Sequence, residues 1–212
     1  MNHVTSQARR LAGLALVAGG VLTIVGFFVT TSLYGGSGDA RFTHPLFPVV
    51  YSVGLAGAIL TIIGFPAILV AHRDRLPRLT LVGYAGTLAT IAMLNLGEGV
   101  VEAYVKPYLV RHGGIPKHDP TSLTVYFVVA AILTVVGLIA LGIALIRGNL
   151  FPWWVGALLI AAVPISFVGT SLPGPLALLG DYLAFTAFAV IGWRVARPAT
   201  GRRATPVPEP TG

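Results

Sequence analysis

The chain predicts an all-α fold, a polytopic membrane helix bundle of six transmembrane helices with both termini in the cytoplasm. Three observations carry this. Of the 212 residues, 55% are apolar and only 10% are charged, whereas a soluble domain has about 25% charged residues. The apolar residues gather in runs of roughly 20, the length a helix needs to cross the ~30 Å hydrocarbon core. The runs are continuous and lack the alternation of a membrane β-barrel strand.

Charge and cysteine content narrow the function classes. The net charge is +7, but basic residues cluster at the ends of apolar runs, where they set orientation. No basic stripe is interleaved with aromatics, which excludes nucleic acid as a partner. The chain has no cysteine, so disulfides, thiolate catalysis and cysteine metal sites are excluded. Twelve arginines against two lysines, with abundant Ala, Gly, Val and Pro, match the usage of a high-GC bacterial genome.

The elements follow in order. Residues 1–10 form a short polar cytoplasmic start ending in Arg9-Arg10, and the first span covers about 11–31. That span is too long for a signal peptide and lacks a small-residue cleavage site, so it reads as a retained helix. Residues 32–45 read as a loop. Its Gly35, Gly36 and Gly38 have neither a preceding strand nor a following Lys-Ser/Thr pair, which sets a phosphate cradle aside. The second span covers about 47–71, and Pro66 predicts a kink within it. After a basic turn at 72–78, the third span starts near Leu79 and runs to Lys106. Residues 107–121 make the longest loop. The fourth span covers about 122–146, the fifth about 151–170 with Pro164 inside it, and the sixth about 176–193. These spans form one domain over residues 11–196, and the Pro-, Thr- and Arg-rich residues 197–212 predict a disordered cytoplasmic tail.

Orientation comes from counting basic residues. With the N-terminus inside, inner segments hold ten Lys and Arg, and outer loops hold four: Arg41, Lys106, Arg111 and Lys117. Trp153, Trp154 and Trp193 then fall at inner boundaries, as an aromatic belt requires. Three spans share a core of Leu, Thr, two β-branched residues and Gly, at Leu22–Gly26, Leu60–Gly64 and Leu133–Gly137. Apolar helices drawing on few residue types resemble one another by chance, which accounts for this better than duplication does. In both cases the glycines offer close helix approach.

The chain has seven acids. Asp39 and Asp119 fall in outer loops, Asp74 in an inner turn and Glu209 in the tail. Glu98 lies about 28 Å up the third helix from Leu79, just inside the outer boundary, with Glu102 at or beyond it. Asp181 lies about 18 Å above Trp193, inside the outer leaflet. An aspartate at the bilayer centre costs about 2.5–3.5 kcal/mol on insertion scales, so such a residue normally faces the bundle interior. On a continuing α-helix, Asn95, Glu98, Glu102 and Lys106 share one face. The candidate site is therefore an acidic pocket opening outward, formed by Asn95, Glu98, Glu102, Asp181 and Tyr182. His44, Arg41 or Lys106 would hang over it. Its function would be proton donation or binding of a cation or other small or lipidic ligand, with Asp181 and Glu98 as the catalytic candidates. The structural alternative pairs Glu98 and Glu102 with Lys106 or Arg111 and bonds Asp181 to a Tyr or Thr.

Other chemistries fare worse. His112 and His118, with Asp119, sit in a loop broken by Gly113, Gly114 and Pro116, so no helix fixes them as metal ligands. Ser166 and Ser171 lack a nucleophile-elbow setting. Tyr51, Tyr84 and Tyr126 read as packing or belt residues. No metal and no cofactor is predicted.

The layout from Arg9-Arg10-Leu11-Ala12-Gly13, through Asn149-Leu150-Phe151-Pro152-Trp153-Trp154-Val155-Gly156, to Ala184–Arg194 resembles a broad group of small six-span bacterial integral membrane proteins. The resemblance covers about residues 9–196 and implies location in the cell's inner (cytoplasmic) membrane, with the lipid bilayer as partner. It carries over no catalytic residue. As a helical bundle with paired acids, the chain is also similar to the integral-membrane terpene cyclases. That similarity implies acid-catalysed chemistry on an isoprenoid, with Glu98 and Asp181 as the acids, although those proteins usually have a seventh span.

Overall fold

Helices account for the architecture, which is an all-α bundle. A computed structural model describes residues 2–35, 38–70, 78–115, 120–149, 151–169 and 171–197. The basic turn at 72–77, His118 with Asp119, and the tail from residue 198 lie outside the described residues. Helix α1 is Asn2–Tyr34, α2 is Phe47–Gly64 and α3 is Pro66–Val70. Next come α4 (Arg78–Thr90), two π-helical segments (Ile91–Glu98 and Val101–Val105) and α5 (Lys106–His112). Together these form one rod, Arg78–His112. Helices α6 (Thr121–Gly148), α7 (Trp153–Gly169) and α8 (Leu179–Ala196) follow, the last entered through a 3-10 turn at Gly174–Leu178. Five rods are long and apolar enough to cross a membrane. The shorter α7 has 17 residues, roughly 26 Å of helix.

The rods pack in chain order as a closed ring. Helix α1 lies between α2 and α8, α7 lies between α6 and α8, and α4 packs on α6. The π-helical segments of the third rod close the ring against α2. Gly13 meets Gly192 and Ala196 near one end of α1, while Gly35 approaches Gly174 at the other. Helices α1 and α8 are thus antiparallel, and the two described termini share one end of the bundle.

Glycine and threonine set these approaches. A Cβ on Gly19 would lie 2.5 Å from the Thr61 hydroxyl, and one on Gly57 would lie 2.5 Å from that of Thr23. Thr23 donates to Gly19 O and Thr61 to Gly57 O, each at 2.9 Å, so neither buried hydroxyl is left open. On the opposite side of the ring, Gly86 meets Gly137, and Thr134 donates to Thr90 at 3.3 Å. All three glycines of the Leu-Thr-β-branched repeat are close-approach points: Gly26 against Gly54, Gly64 against Leu16 and Gly137 against Gly86. The interior is filled by Leu16, Phe65, Ile68, Leu141, Leu159 and Phe188. Val25, Phe28, Val125, Val128 and Ile132 face outward, a surface suited to lipid rather than water.

The structure departs from the expected elements in three places, in α1, at the end of the third rod and in its acid-bearing stretch. The chain is already helical from Asn2, and α1 continues to Tyr34, beyond the expected end of the first span. At Pro66, where a kink is expected, the helical hydrogen bonding is interrupted between α2 and α3, but Phe65 keeps helical angles (φ −59°, ψ −36°) and Phe47–Leu69 runs on as one rod. The missing N–H and the ring of a proline account for that interruption. The third rod continues to His112, so residues 107–112 are helix rather than loop. Finally, the acid-bearing stretch is π-helical, not α-helical. Pro107 follows the second π segment, and its ring would clash with the carbonyl of Ala103 in an α turn. The wider turn relieves that clash.

Candidate functional site

A cavity of about 310 Å³ opens between the rods. Its wall on the third rod carries Leu94, Asn95, Glu98 and Glu102, and Asp181 stands on α8 across from them. Thr30 and Thr31 of α1, Tyr51 of α2 and Arg41 complete the polar lining. The third rod and α8 are not sequential neighbours in the ring. Both contribute to the lining of this space, the third rod through Glu98 and α8 through Asp181.

The acids are held differently. Glu102 is 8% exposed and accepts from Arg41 Nη2 at 3.1 Å and from Lys106 Nζ. Both cations also lie against Phe42, with the Arg41 guanidinium carbon 4.7 Å and Lys106 Nζ 5.8 Å from its ring centroid. Phe42 is buried and meets Phe47 edge-on at 5.4 Å. The 3-10 helix Gly38–Thr43 is thereby clasped over the Lys106 end of the third rod. Glu98 and Asp181 are half-buried, facing the cavity. Among the described residues neither makes a side-chain hydrogen bond or ion pair. Around the cavity three carboxyl groups stand against two cations, and both cations are engaged by Glu102.

Two further spaces adjoin. An apolar cavity of about 220 Å³ shares Leu94, Asn95, Leu178 and Asp181 with the first and extends to Leu138, Phe185 and Phe188. A third space, about 350 Å³, lies between the third rod and α6, lined by Gly97, Glu98, Val101, Leu123, Tyr126 and Phe127, with Lys106 beside them. Asp181 thus borders the first and second spaces, and Glu98 the first and third. The Tyr126 hydroxyl donates to Met93 O at 2.5 Å, supporting the π-helical turn. A Cβ on Gly97 would lie 2.6 Å from that hydroxyl.

Of the predicted pocket residues, Asn95, Glu98, Glu102 and Asp181 come together and Tyr182 and His44 do not. Tyr182 follows Asp181 by one position, which turns it away from the cavity. Its ring packs toward Phe28 on α1 at 6.4 Å. His44 Nδ1 accepts from Leu46 N at 3.2 Å, and its ring lies 5.3 Å from that of Tyr34. Arg41 does reach the cavity, whereas Lys106 and Glu102 form the structural pair that the alternative reading described. Glu98 takes no part in that pairing. Tyr84 packs against Phe65 at 5.0 Å, but Tyr51 and Tyr126 line cavities rather than acting as packing alone. Thr30, Thr31 and Tyr51 carried no signal in the sequence that separated them from other polar residues at span ends. His112 bonds Tyr108 O at 2.9 Å and stacks on its ring. Among the described residues, no group of three His, Asp or Glu stands close enough to hold a metal. The chain matches no protein-family model, no curated protein and no solved structure.

Proposed function

We propose that this protein binds a small or lipidic ligand in the cavity between the third rod and α8, taking a positively charged or hydrogen-bond-donating head group. One observation carries the reading: Glu98 and Asp181 line the same cavity, and neither has a side-chain hydrogen bond or ion pair among the described residues. Two unpaired carboxyls inside a membrane bundle are costly unless a ligand or proton meets them. An amphiphile fits because the adjoining apolar cavity can receive a hydrocarbon body. In this reading α7 is a sixth span, the ring has six crossings, and the basic-residue count places both termini in the cytoplasm of a bacterial inner membrane.

Binding of a lipophilic quaternary ammonium or phosphonium ion to the purified chain in nanodiscs tests this. The wild type should gain thermal stability with the cation, and Asp181→Asn and Glu98→Gln should each lose at least tenfold in affinity. Equal affinity in all three proteins rejects the proposal.

A second reading has one observation in its favour, the apolar cavity meeting Asp181. Asp181, protonated, would transfer its proton to an alkene or epoxide held there, with Phe185 and Phe188 facing the developing cation. Loss of turnover in Asp181→Asn with ligand binding retained would favour this enzyme over a binding protein.

A further inference from the structure

At the opposite end of the bundle, Arg9 and Arg10 of α1 and Arg197 after α8 line a separate cavity of about 310 Å³. We infer that this cavity binds a phosphate group, as a phosphomonoester or phosphodiester anion. Ser6 and Gln7 bring hydroxyl and amide groups to the same space. No acid lines it among the described residues, and none of the three arginines has a carboxylate partner there.

Orientation alone does not require this arrangement, because the positive-inside rule needs basic residues on one side and not gathered around a cavity. Two features hold them together. The helices meet backbone to backbone just beneath, where a Cβ on Gly13 would lie 2.8 Å from Gly192 O and from Ala196 N. Arg197 is laid over the Trp193 ring, 4.8 Å from its centroid. Three like charges drawn from two helices repel one another, and a bound dianion or lipid phosphodiester relieves that repulsion. Arginine's planar fork suits phosphate oxygens. Exposed Leu11 and Leu14 lie on the same helix, next to where a lipid's acyl chains would run. A lipid headgroup and a soluble phosphate compound share this chemistry.

The test uses the purified full chain in two arms. Native mass spectrometry counts retained phosphatidylglycerol against a phosphate-free galactosyl diacylglycerol, and tryptophan fluorescence follows titration with inorganic phosphate. Arg9→Gln and Arg197→Gln, on different helices, should each weaken binding roughly fivefold, while Arg147→Gln, with the same loss of charge elsewhere, should not. Phosphatidylglycerol retention that depends on Arg9 and Arg197 identifies a lipid site. Saturable phosphate binding with that dependence, without lipid preference, identifies a soluble phosphate ligand. Binding in neither arm, or equal losses in Arg147→Gln, overturns the inference. This site shares no residue with the acidic cavity, so its failure leaves the proposed ligand-binding function standing.

Discussion

Glu98 and Glu102 are four positions apart on one rod and have different tasks. Glu102 joins Arg41 and Lys106 over Phe42, fastening the 3-10 helix Gly38–Thr43 to the bundle. Glu102→Gln leaves both cations without their carboxylate, and the expected cost is about 1–3 kcal/mol of stability. Glu98→Gln breaks no hydrogen bond or ion pair among the described residues and removes an unpaired carboxyl from the bundle, so it should leave stability unchanged or raise it. Thermal unfolding of the two variants side by side checks the contrast. If Glu98→Gln is the more destabilising, the assignment of roles is wrong. Depth counting from Leu79 and Trp193 picked out Glu98 and Asp181 because so few charges interrupt the apolar runs. It could not separate Asp181 from Tyr182, since adjacent residues of a helix point about 100° apart. Nor could it separate a paired glutamate from an unpaired one. That depends on Arg41, which is 61 positions away from Glu102.

At the scale of elements, apolar run length located the rods because the bilayer sets that length. The π-helical segments were not legible. One depends on the Tyr126 hydroxyl, supplied from another rod 33 positions later, and the other follows from Pro107 acting on the preceding turn. Tyr126→Phe should cost about 1 kcal/mol and speed amide exchange within Ile91–Glu98, as read by hydrogen–deuterium exchange. Unchanged exchange there would show that the turn holds without the tyrosine. The glycine seams were half legible. The repeated Leu-Thr-β-branched pattern marked Gly137, but only the packing shows a Cβ there 2.5 Å from Thr87 N. Gly137→Val should therefore destabilise by at least about 1–3 kcal/mol, measured by thermal unfolding in detergent.

For the whole molecule, ring closure in chain order brings the third rod and α8 face to face. No single span encodes this, because it depends on every neighbouring pair packing antiparallel. The described termini share one end of the bundle, and the cysteine-free chain allows the proposed orientation of that end to be tested directly. A cysteine at position 112 should react with an impermeant thiol reagent added outside intact cells, and one at position 7 should not. The reverse pattern would invert the topology.

Ligand binding between the third rod and α8 requires Glu98 and Asp181 to face one open cavity. The most direct measurement is cross-linking of a Glu98→Cys/Asp181→Cys double variant with a short bifunctional thiol reagent in native membranes. A Glu98→Cys/Tyr182→Cys variant serves as the control. An intramolecular cross-link in the first variant and little or none in the second is the predicted result. Equal cross-linking in both, or none in the first while each single cysteine reacts with a small thiol reagent, would contradict it.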